Sequence, residues 1–352
     1  MSSLGELDVQ VAHSVEQIGQ ESWDRLAAGR PFTGYHWYRF GETVLAGSLP
    51  IYMVLSQQGE PLARATFWLT RQEFLPISSA PLRRLMQAFI RRWPLLICRT
   101  PLVCASGLIV PKGVLGRSAL ATIAQVAREQ AQQHKASFVI FDYLEQQDLS
   151  EPSWPASFVP VEMPNPDTCL WIDWPDFDSY LGQLGHKMRT NYRRDCRIAN
   201  SLGIEIESRL LKQPMDEASL DEAMRLFRNV EKHHNSPPYP WARGMLRHAC
   251  QVDALWLTAK LEKRLVAWCL ALRDGDYWYG ALAGLDYQVR YAYFQLVYAT
   301  IEHAIQQGAR IIRGGSWAYN LKQKLGFQLV YNTHLMFTSS NPWLRRIGRW
   351  LS

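Results

Sequence analysis

Apolar residues along the chain switch repeatedly between the two-residue period of strands and the period of about 3.6 that is typical of helices. In the first half, β-like runs cover 51–56, 62–69 and 103–110, a helical pattern covers 118–134, and a further run covers 138–143. The second half repeats this order, with β-like runs at 255–260, 265–272 and 277–285, a helical pattern at 292–307 closed by Gly308, and runs at 309–313 and 327–337. Each half therefore predicts a hairpin, a strand, a helix and a strand. A strand–helix–strand unit implies parallel pairing, so we expect an α/β protein with mixed sheets in two tandem domains.

Further helical patterns precede each hairpin. They cover 20–28 and 35–47 in the first half and 177–188 in the second, and a capping box at 219–222 predicts one more helix start. A proline-rich stretch, 151–166, separates the halves. We therefore expect an N-terminal domain over 1–165, a C-terminal domain over 166–340, and a tail over 341–352.

Composition narrows the class of protein. The 352 residues are 47% hydrophobic and 20% charged, which supports a large core and excludes general disorder. The sequence has no apolar run long enough for a membrane span, and residues 1–10 do not resemble a signal peptide. Its six cysteines form no C-x-x-C pair and are expected to be reduced and mostly buried. These features predict a cytoplasmic protein.

Charge is unevenly distributed along the sequence. The formal net charge is +6, yet residues 74–128 hold eight basic side chains and 303–352 hold seven, with no acidic residue in either stretch. Such segregation indicates an anionic partner for one side of the molecule.

Two sets of residues in the second half form motifs of a known family. Lys187-Met188-Arg189 opens a basic segment that ends before Gly203 and a β-like run, and Gly314-Gly315-Ser316 is followed by Tyr319 and Lys324-Leu325-Gly326-Phe327. Together with the repeated element order, this resembles the GNAT acyltransferase fold present twice. That is the architecture of the Fem-like aminoacyl-tRNA-dependent transferases and of acetyltransferase-like relatives from cell-envelope and polysaccharide gene sets.

The resemblance implies an acyltransferase. Its co-substrate would be an acyl-CoA or an aminoacyl-tRNA, with no permanently bound cofactor, and its acceptor an amine of a cell-envelope, polysaccharide or lipid-linked precursor. One departure concerns the family's pyrophosphate-binding loop, which has small residues at two positions. Here the chain reads Gln288-Val289-Arg290-Tyr291-Ala292-Tyr293, so tyrosines occupy both of those positions. Gln288 and Arg290 remain candidates for donor binding. The alternative is a non-catalytic protein that binds nucleic acid or membrane on a degenerate GNAT scaffold.

Four residues are candidates for catalysis. The resemblance places Lys324 where Fem-like enzymes use a lysine on phosphate or on the reacting carbonyl, whereas the alternative is a solvated surface lysine. Tyr319 could donate a proton to the leaving group or simply pack as an aromatic. Asp286 and Tyr279 lie on or just after the strand 277–285, where Asp286 could accept the amine proton, although a turn role is favoured.

Candidate substrate-binding residues lie in both halves. Asp142 resembles by position an aspartate of Fem-like enzymes, and Arg189 and Arg193 share a helix face. Arg313 makes the loop 314–327, where the resemblance places the reaction and which we call the reaction loop, more basic. The remaining candidates are Ser316, Lys322, His233 and His234. For the basic helix a solvated face is the alternative, and for the histidines a favourable position at a helix C-terminus. No spacing predicts a metal site.

Two segments, 82–93 and 343–351, combine tryptophan and aliphatic residues with arginines at helical spacing. A basic amphipathic helix of this kind is typical of a peripheral anchor on anionic lipid, here on the inner face of the membrane. The alternative is that the apolar face packs on the protein itself. The sequence favours packing for 82–93 and the membrane for the tail.

Overall fold

A computed structural model describes residues 7–27, 29–75, 77–145, 148–149, 154–163, 165–316 and 318–351. The chain forms two compact units. The first contains residues 1–166 and 331–352, and the second contains residues 167–330. Each unit is built on its own sheet.

The first unit mixes strands and helices and contains the predicted hairpin, the helix that follows it and the strand after that helix. Its strands are β1 (Asp8–Ala12), β2 (Leu49–Gln57), β3 (Glu60–Thr70), β4 (Leu95–Cys98), β5 (Leu108–Ile109), β6 (Phe138–Leu144), β7 (Val159–Glu162) and β15 (His334–Thr338). Its helices are α1 (Gln20–Ala27), α2 (Tyr35–Val44), α3 (Ala80–Arg92), α4 (Val114–Gln133) and α11 (Pro342–Leu351). The strands pair in the order β1-β2-β3-β4-β6-β15-β7, with β5 also on β3 and with β4 and β6 parallel.

The second unit follows the same plan. Its strands are β8 (Asp167–Trp171), β9 (Ile204–Leu210), β10 (Asp253–Leu261), β11 (Arg264–Asp274), β12 (Tyr277–Leu285), β13 (Ile311–Arg313) and β14 (Gln328–Val330). Its helices are α5 (Phe177–Gln183), α6 (His186–Ser201), α7 (Glu217–His233), α8 (Ala242–His248), α9 (Ala292–Gln306) and α10 (Tyr319–Lys324). The strands pair in the order β14-β8-β13-β12-β11-β10-β9, with β12 and β13 parallel.

A helix covers the core of each sheet. In the first unit the small residues Ala119, Ala124 and Ala127 bring α4 close to the aliphatic side chains of β2, β3 and β6. In the second unit Leu296 and Ile301 of α9 pack on β10 and β11. Gly308 ends α9 with a positive φ of 69°, as the sequence predicts, because glycine adopts the left-handed region without a Cβ clash. The predicted α/β class with two mixed sheets is confirmed.

Several predictions about elements are wrong, and the helix predicted at 177–188 is divided into α5 and α6. The run 103–110 is mostly loop, and the strand beside β3 is instead β4, which follows Pro94 directly. The run 327–337 is two strands, because the chain leaves the second sheet after β14 and inserts β15 between β6 and β7 of the first. Residues 331–340 therefore belong to the first unit and not to the expected 166–340 domain.

Another wrong prediction concerns a helix start. The capping residue of α7 is Asp216, not Ser219, since the Asp216 carboxylate accepts hydrogen bonds from the Ser219 amide at 2.9 Å and from its hydroxyl at 2.7 Å. Aspartate supplies two acceptor oxygens to the helix start and complements the positive end of the dipole.

No helix among the described residues is long and apolar enough to cross a membrane. In the same part of the chain no three metal-ligating side chains form a cluster. The six cysteines are free thiols; Cys98 and Cys169 are buried and the other four are partly buried.

Candidate active site

The second sheet opens between its two parallel strands. β12 and β13 pair only over 277–279 and 311–313, after which β12 continues to Leu285 paired with β11 alone. The chain after β13 stays with β8, because the Gly314 amide donates to the Thr168 carbonyl at 2.7 Å. The strands thus diverge at their carboxyl ends, which is where α/β sheets place ligands.

A cleft of about 530 Å³ lies in this unit, and four elements contribute to its walls: α6, the loop after β12, the start of α9, and α10. Six of its sixteen lining residues are aromatic, namely Tyr192, Tyr287, Tyr291, Tyr293, Phe294 and Tyr298. Burial raises the pKa of Tyr298 to about 12 and the pKa values of Tyr192 and Tyr293 further, so these phenols stay neutral at physiological pH. The cleft therefore offers flat rings for stacking.

The charged groups of the cleft leave an excess of positive charge. Arg194 pairs with Asp195 at 2.8 Å, and Asp286 pairs with Arg264 at 2.9 Å. Arg290 and Lys324 line the same cleft, and neither forms an ion pair with a described residue. Two unpaired cations beside stacking surfaces suit an anionic ligand that carries a planar ring.

Lys322 fixes the loop that follows β13. Its ammonium donates to the carbonyls of Gly314, Gly315 and Ser316 at 2.6, 2.9 and 3.3 Å. The Thr168 hydroxyl donates to the Gly315 carbonyl at 2.7 Å, and Gly315 itself has a φ of 70°. The sequence proposed Lys322 and Ser316 as substrate-binding residues; their contacts within this loop indicate a structural task, because the ammonium is already surrounded by acceptors.

Lys324 differs from Lys322 in its surroundings. It ends α10, is exposed, and lines the cleft. Tyr319 begins the same helix and lies outside the set of described residues that line the cleft. Of these two candidates, the structure places only Lys324 beside the aromatic wall and Arg290.

The start of α9 has an unusual backbone. Tyr291 precedes the helix with φ 74° and ψ −21°, a left-handed conformation that glycine adopts without strain. The conformation resembles what a phosphate-binding loop needs, but the side chain is a tyrosine that lines the cleft. The first-turn amides of α9 and the positive end of its dipole add to the positive potential there.

Asp286 is held in a turn. Its carboxylate accepts a hydrogen bond from the Gln288 amide at 3.0 Å and forms the ion pair with Arg264. These contacts favour the turn role over the general-base role, since the charge is compensated. Gln288 is exposed and makes its described contact through its backbone, whereas Arg290 projects into the cleft.

The adjacent histidines His233 and His234 at the end of α7 position a tyrosine. The His233 ring stacks on Tyr287 with 3.8 Å between centroids, and the Tyr287 hydroxyl lies 3.2 Å from His234 Nε2. Burial lowers the pKa of His234, and its neighbour His233 adds to the effect. The two histidines therefore do not line the cleft themselves but hold Tyr287, which does.

Arg313 does not make the reaction loop more basic, contrary to expectation. Its guanidinium donates from Nε to the Asp167 carboxylate at 2.7 Å, and Asp167 is almost completely buried. The acid that compensates Arg313 is supplied by the neighbouring strand β8, which sequence order could not reveal. Tyr279 lies opposite Arg313 in the parallel register and outside the cleft lining.

The basic helix α6 presents a different face from the expected one. Arg189 donates to the carbonyls of Gly182 and Leu184 at 2.6 and 2.8 Å, so it holds the end of α5. Arg193 is exposed and, like Arg189, lies outside the cleft lining. The residues of α6 that face the cleft are Met188, Asn191, Tyr192, Arg194 and Asp195.

Asp142 belongs to the first unit and is part of a buried charged group there. Arg99 pairs with Glu73 at 2.5 Å and lies 3.9 Å from Asp142. Burial raises the pKa of Asp142 to about 6, although Arg99 opposes the shift. This arrangement neutralises Arg99 within the fold.

Sequence reasoning missed Tyr287 and Tyr298 as cleft residues. Tyr298 lies at the helical spacing of a core face and is indeed buried, but it also lines the cleft. Tyr287 directly follows Asp286, and that position after a predicted strand is the one signal that could have indicated it. Its stacking on His233 joins positions 54 residues apart and leaves no local pattern.

Two mixed sheets of this topology, each with one parallel pair of strands, define a tandem GNAT protein. A family model described as FemAB-like, peptidoglycan biosynthesis/recognition, matches residues 14–352. The chain therefore belongs to the FemAB-like family, which connects it to the cell envelope. A search of curated proteins found no match.

Solved structures support the same fold. FemX is 13% identical with a TM-score of 0.65, covering 96% of this chain and 99% of that one. A tandem GNAT protein from the clavulanic acid biosynthesis pathway is 14% identical, with a TM-score of 0.58 and the same coverage. L-PGS from Bacillus licheniformis is 11% identical with a TM-score of 0.53, covering 95% and 96% of the two chains.

Proposed function

We propose that the protein is an aminoacyltransferase that moves an aminoacyl group from the 3′ end of a charged tRNA to an amine of a peptidoglycan precursor. The observation that carries this proposal is the pair Arg290 and Lys324, two cations that form no ion pair with a described residue and that line a cleft with aromatic walls beside diverging strands. Membership of a peptidoglycan family supports the acceptor class.

The nature of the cleft favours tRNA over acyl-CoA as donor. A single-stranded nucleic acid binds by stacking its bases on aromatic rings while cations contact its phosphates. Tyr287 and Tyr291 supply rings, and Arg290 and Lys324 supply cations. An acyl-CoA pyrophosphate needs small residues so that backbone amides can approach it, but the chain has Tyr291 and Tyr293 there.

The reaction is a direct transfer in a ternary complex. The acceptor amine attacks the ester carbonyl, so a carbon–nitrogen bond forms as the ester carbon–oxygen bond breaks. The proton lost by the amine ends on the departing ribose oxygen. The Lys324 ammonium stabilises the oxyanion of the tetrahedral intermediate, and Asp286 stays in its turn.

Turnover of purified protein with charged tRNA and a peptidoglycan precursor tests this role. We expect Lys324→Ala to lower kcat by roughly 10²–10³, the cost of removing one oxyanion donor. Lys212→Ala is the matched control, because Lys212 is an exposed lysine of the same unit outside the cleft lining. Equal turnover by the Lys324 variant and the control would refute the assignment.

The donor is tested separately by equilibrium binding of charged tRNA and of acetyl-CoA. We expect tRNA to bind and Tyr287→Ala to weaken it by about 1–3 kcal/mol, the contribution of one stacked base. Saturable acetyl-CoA binding that competes with tRNA would replace the proposed donor with an acyl-CoA.

One observation favours the non-catalytic alternative: Tyr291 and Tyr293 occupy the two positions of the pyrophosphate loop that are small residues in the family. A scaffold can keep its fold and binding after losing its chemistry. Tight tRNA binding without aminoacyl transfer to the precursor, in wild type and Lys324→Ala alike, would favour that alternative.

A further inference from the structure

Helix α3 of the first unit leaves most of its apolar side exposed. Leu82, Leu85, Met86 and Trp93 recur at helical spacing and are 47%, 66%, 37% and 45% exposed. Only Ile90 is buried, in a small cluster with Leu95 and Ile97 that Phe89 also touches. The expectation that this segment packs on the protein is therefore wrong for most of its apolar residues.

Arginines surround this exposed stripe. At 100° per residue, Arg83 and Arg92 flank it, and Arg84 and Arg91 lie on the far side. None of the four forms an ion pair with a described residue, and the Arg92 guanidinium lies 5.5 Å from the Trp93 ring. The surrounding stretch 74–128 contains no acidic residue that could supply a partner locally.

The start of α11 lies next to the end of α3. The Ser137 hydroxyl donates to the Trp93 carbonyl at 3.2 Å, and the Ser339 hydroxyl donates to the Ser137 carbonyl at 2.6 Å. The Asn341 side chain then accepts from the Trp343 amide at 2.9 Å, at the first turn of α11. Three short links thus place two basic amphipathic segments, far apart in sequence, at one end of the strands β4, β6 and β15.

Trp343 extends the apolar surface. It is 76% exposed, and its neighbours Arg345 and Arg346 form no ion pair with a described residue. The predicted continuation of this face by Ile347, Trp350 and Leu351 lies outside the described side chains.

We propose that α3 and the first turn of α11 form a docking surface for an anionic lipid bilayer. Exposed leucine and tryptophan side chains suit the boundary between headgroups and acyl chains, while arginines reach the phosphates above it. A bilayer matches both the apolar stripe and its uncompensated positive rim. This inference is independent of the cleft in the second unit.

Sedimentation of the full-length protein with vesicles tests the surface. One set contains phosphatidylcholine alone, and the other contains phosphatidylcholine mixed with phosphatidylglycerol. We expect binding to the mixed vesicles, weakening as salt rises, and little binding to the neutral ones. Equal binding to both sets, or binding insensitive to salt, would contradict the proposal.

Paired variants separate the charge from the apolar contribution. Arg83→Gln with Arg92→Gln, the two arginines that flank the stripe, should weaken binding about 25-fold, since each arginine near an anionic surface contributes roughly fivefold. Arg128→Gln with Arg209→Gln is the control; it removes the same charge from exposed positions outside the surface. Leu85→Ser with Trp343→Ser should also release the protein, and the exposure of both residues keeps the fold intact.

Two further outcomes complete the test. The Lys324→Ala variant should bind vesicles as wild type does, because Lys324 lies in the cleft of the second unit. Vesicle binding therefore tests the lipid surface whether or not the proposed aminoacyl transfer is observed. If the leucine–tryptophan variant instead dissociates an oligomer while vesicle binding is unchanged, a second copy of the chain covers the surface and the lipid proposal is overturned.

Discussion

Replacing Lys322 by methionine should separate the stability of the reaction loop from its chemistry. Methionine keeps the length of the side chain but removes the ammonium that holds the carbonyls of Gly314, Gly315 and Ser316. A hydrogen bond to a charged group contributes about 1.5–3 kcal/mol net. Because the site is half-buried and water can replace part of these contacts, we expect a loss of about 2–3 kcal/mol in total.

Differential scanning calorimetry measures this loss. For a unit of this size, each kcal/mol lowers the Tm by roughly 2–4 °C, so the transition of the second unit should fall by about 4–12 °C. Lys324→Met is the contrasting variant, since that lysine is exposed and should change the Tm little while turnover falls. If Lys324→Met lowers the Tm and Lys322→Met does not, the two lysines have been assigned the wrong way round.

Three other perturbations give clear expectations. Arg313→Met leaves the buried Asp167 without its ion-pair partner and should destabilise the second unit by about 3–5 kcal/mol. The double variant Arg313→Met/Asp167→Asn should recover part of this loss. A denaturation midpoint of the single variant near that of wild type would contradict this expectation. Asp142 has a folded-state pKa of about 6, above its unfolded value of about 3.9, so its stabilising contribution is complete below pH of about 4 and is lost as the pH rises through 6. Asp142→Asn should remove the fall in Tm between pH of about 4 and 6 that the Asp142 carboxyl causes. A pH profile of Tm that is the same in the variant and in wild type would show that Asp142 does not contribute to it. Tyr291→Gly should relieve about 1 kcal/mol of left-handed backbone strain and should weaken tRNA binding. A variant with unchanged stability and unchanged tRNA affinity would refute both the strain and the binding role of Tyr291.

Local pattern was sufficient for much of the second unit. The run 277–285 coincides with β12, and α9 begins at the expected Ala292 and ends one residue early, because alternation, helical spacing and a terminal glycine all act within a few residues. Both hairpins close with two-residue turns, Gln58-Gly59 and Glu262-Lys263, whose residues have the positive φ angles that such turns require.

What the sequence missed depends on distant partners. The strand β4 follows the basic helix without a turn signal, and its pairing with β6 joins residues more than 40 positions apart. Arg313 could be identified as a cation near the loop, but its partner Asp167 comes from another strand. The same holds for the site, where the resemblance indicated Lys324 and only the fold distinguishes its exposed ammonium from the enclosed one of Lys322.

The position of β15 has a consequence for synthesis. This strand lies between β6 and β7, so the first sheet remains two fragments until almost the whole chain has been made. At about 5–20 residues per second, the wait between β7 and β15 lasts roughly 10–30 s. The second unit is continuous, and its end strand β14, which pairs with its first strand β8, is made at the end of that interval, just before β15. The protein thus completes its later unit first, and truncation before residue 334 would leave β6 and β7 as open edges that invite aggregation.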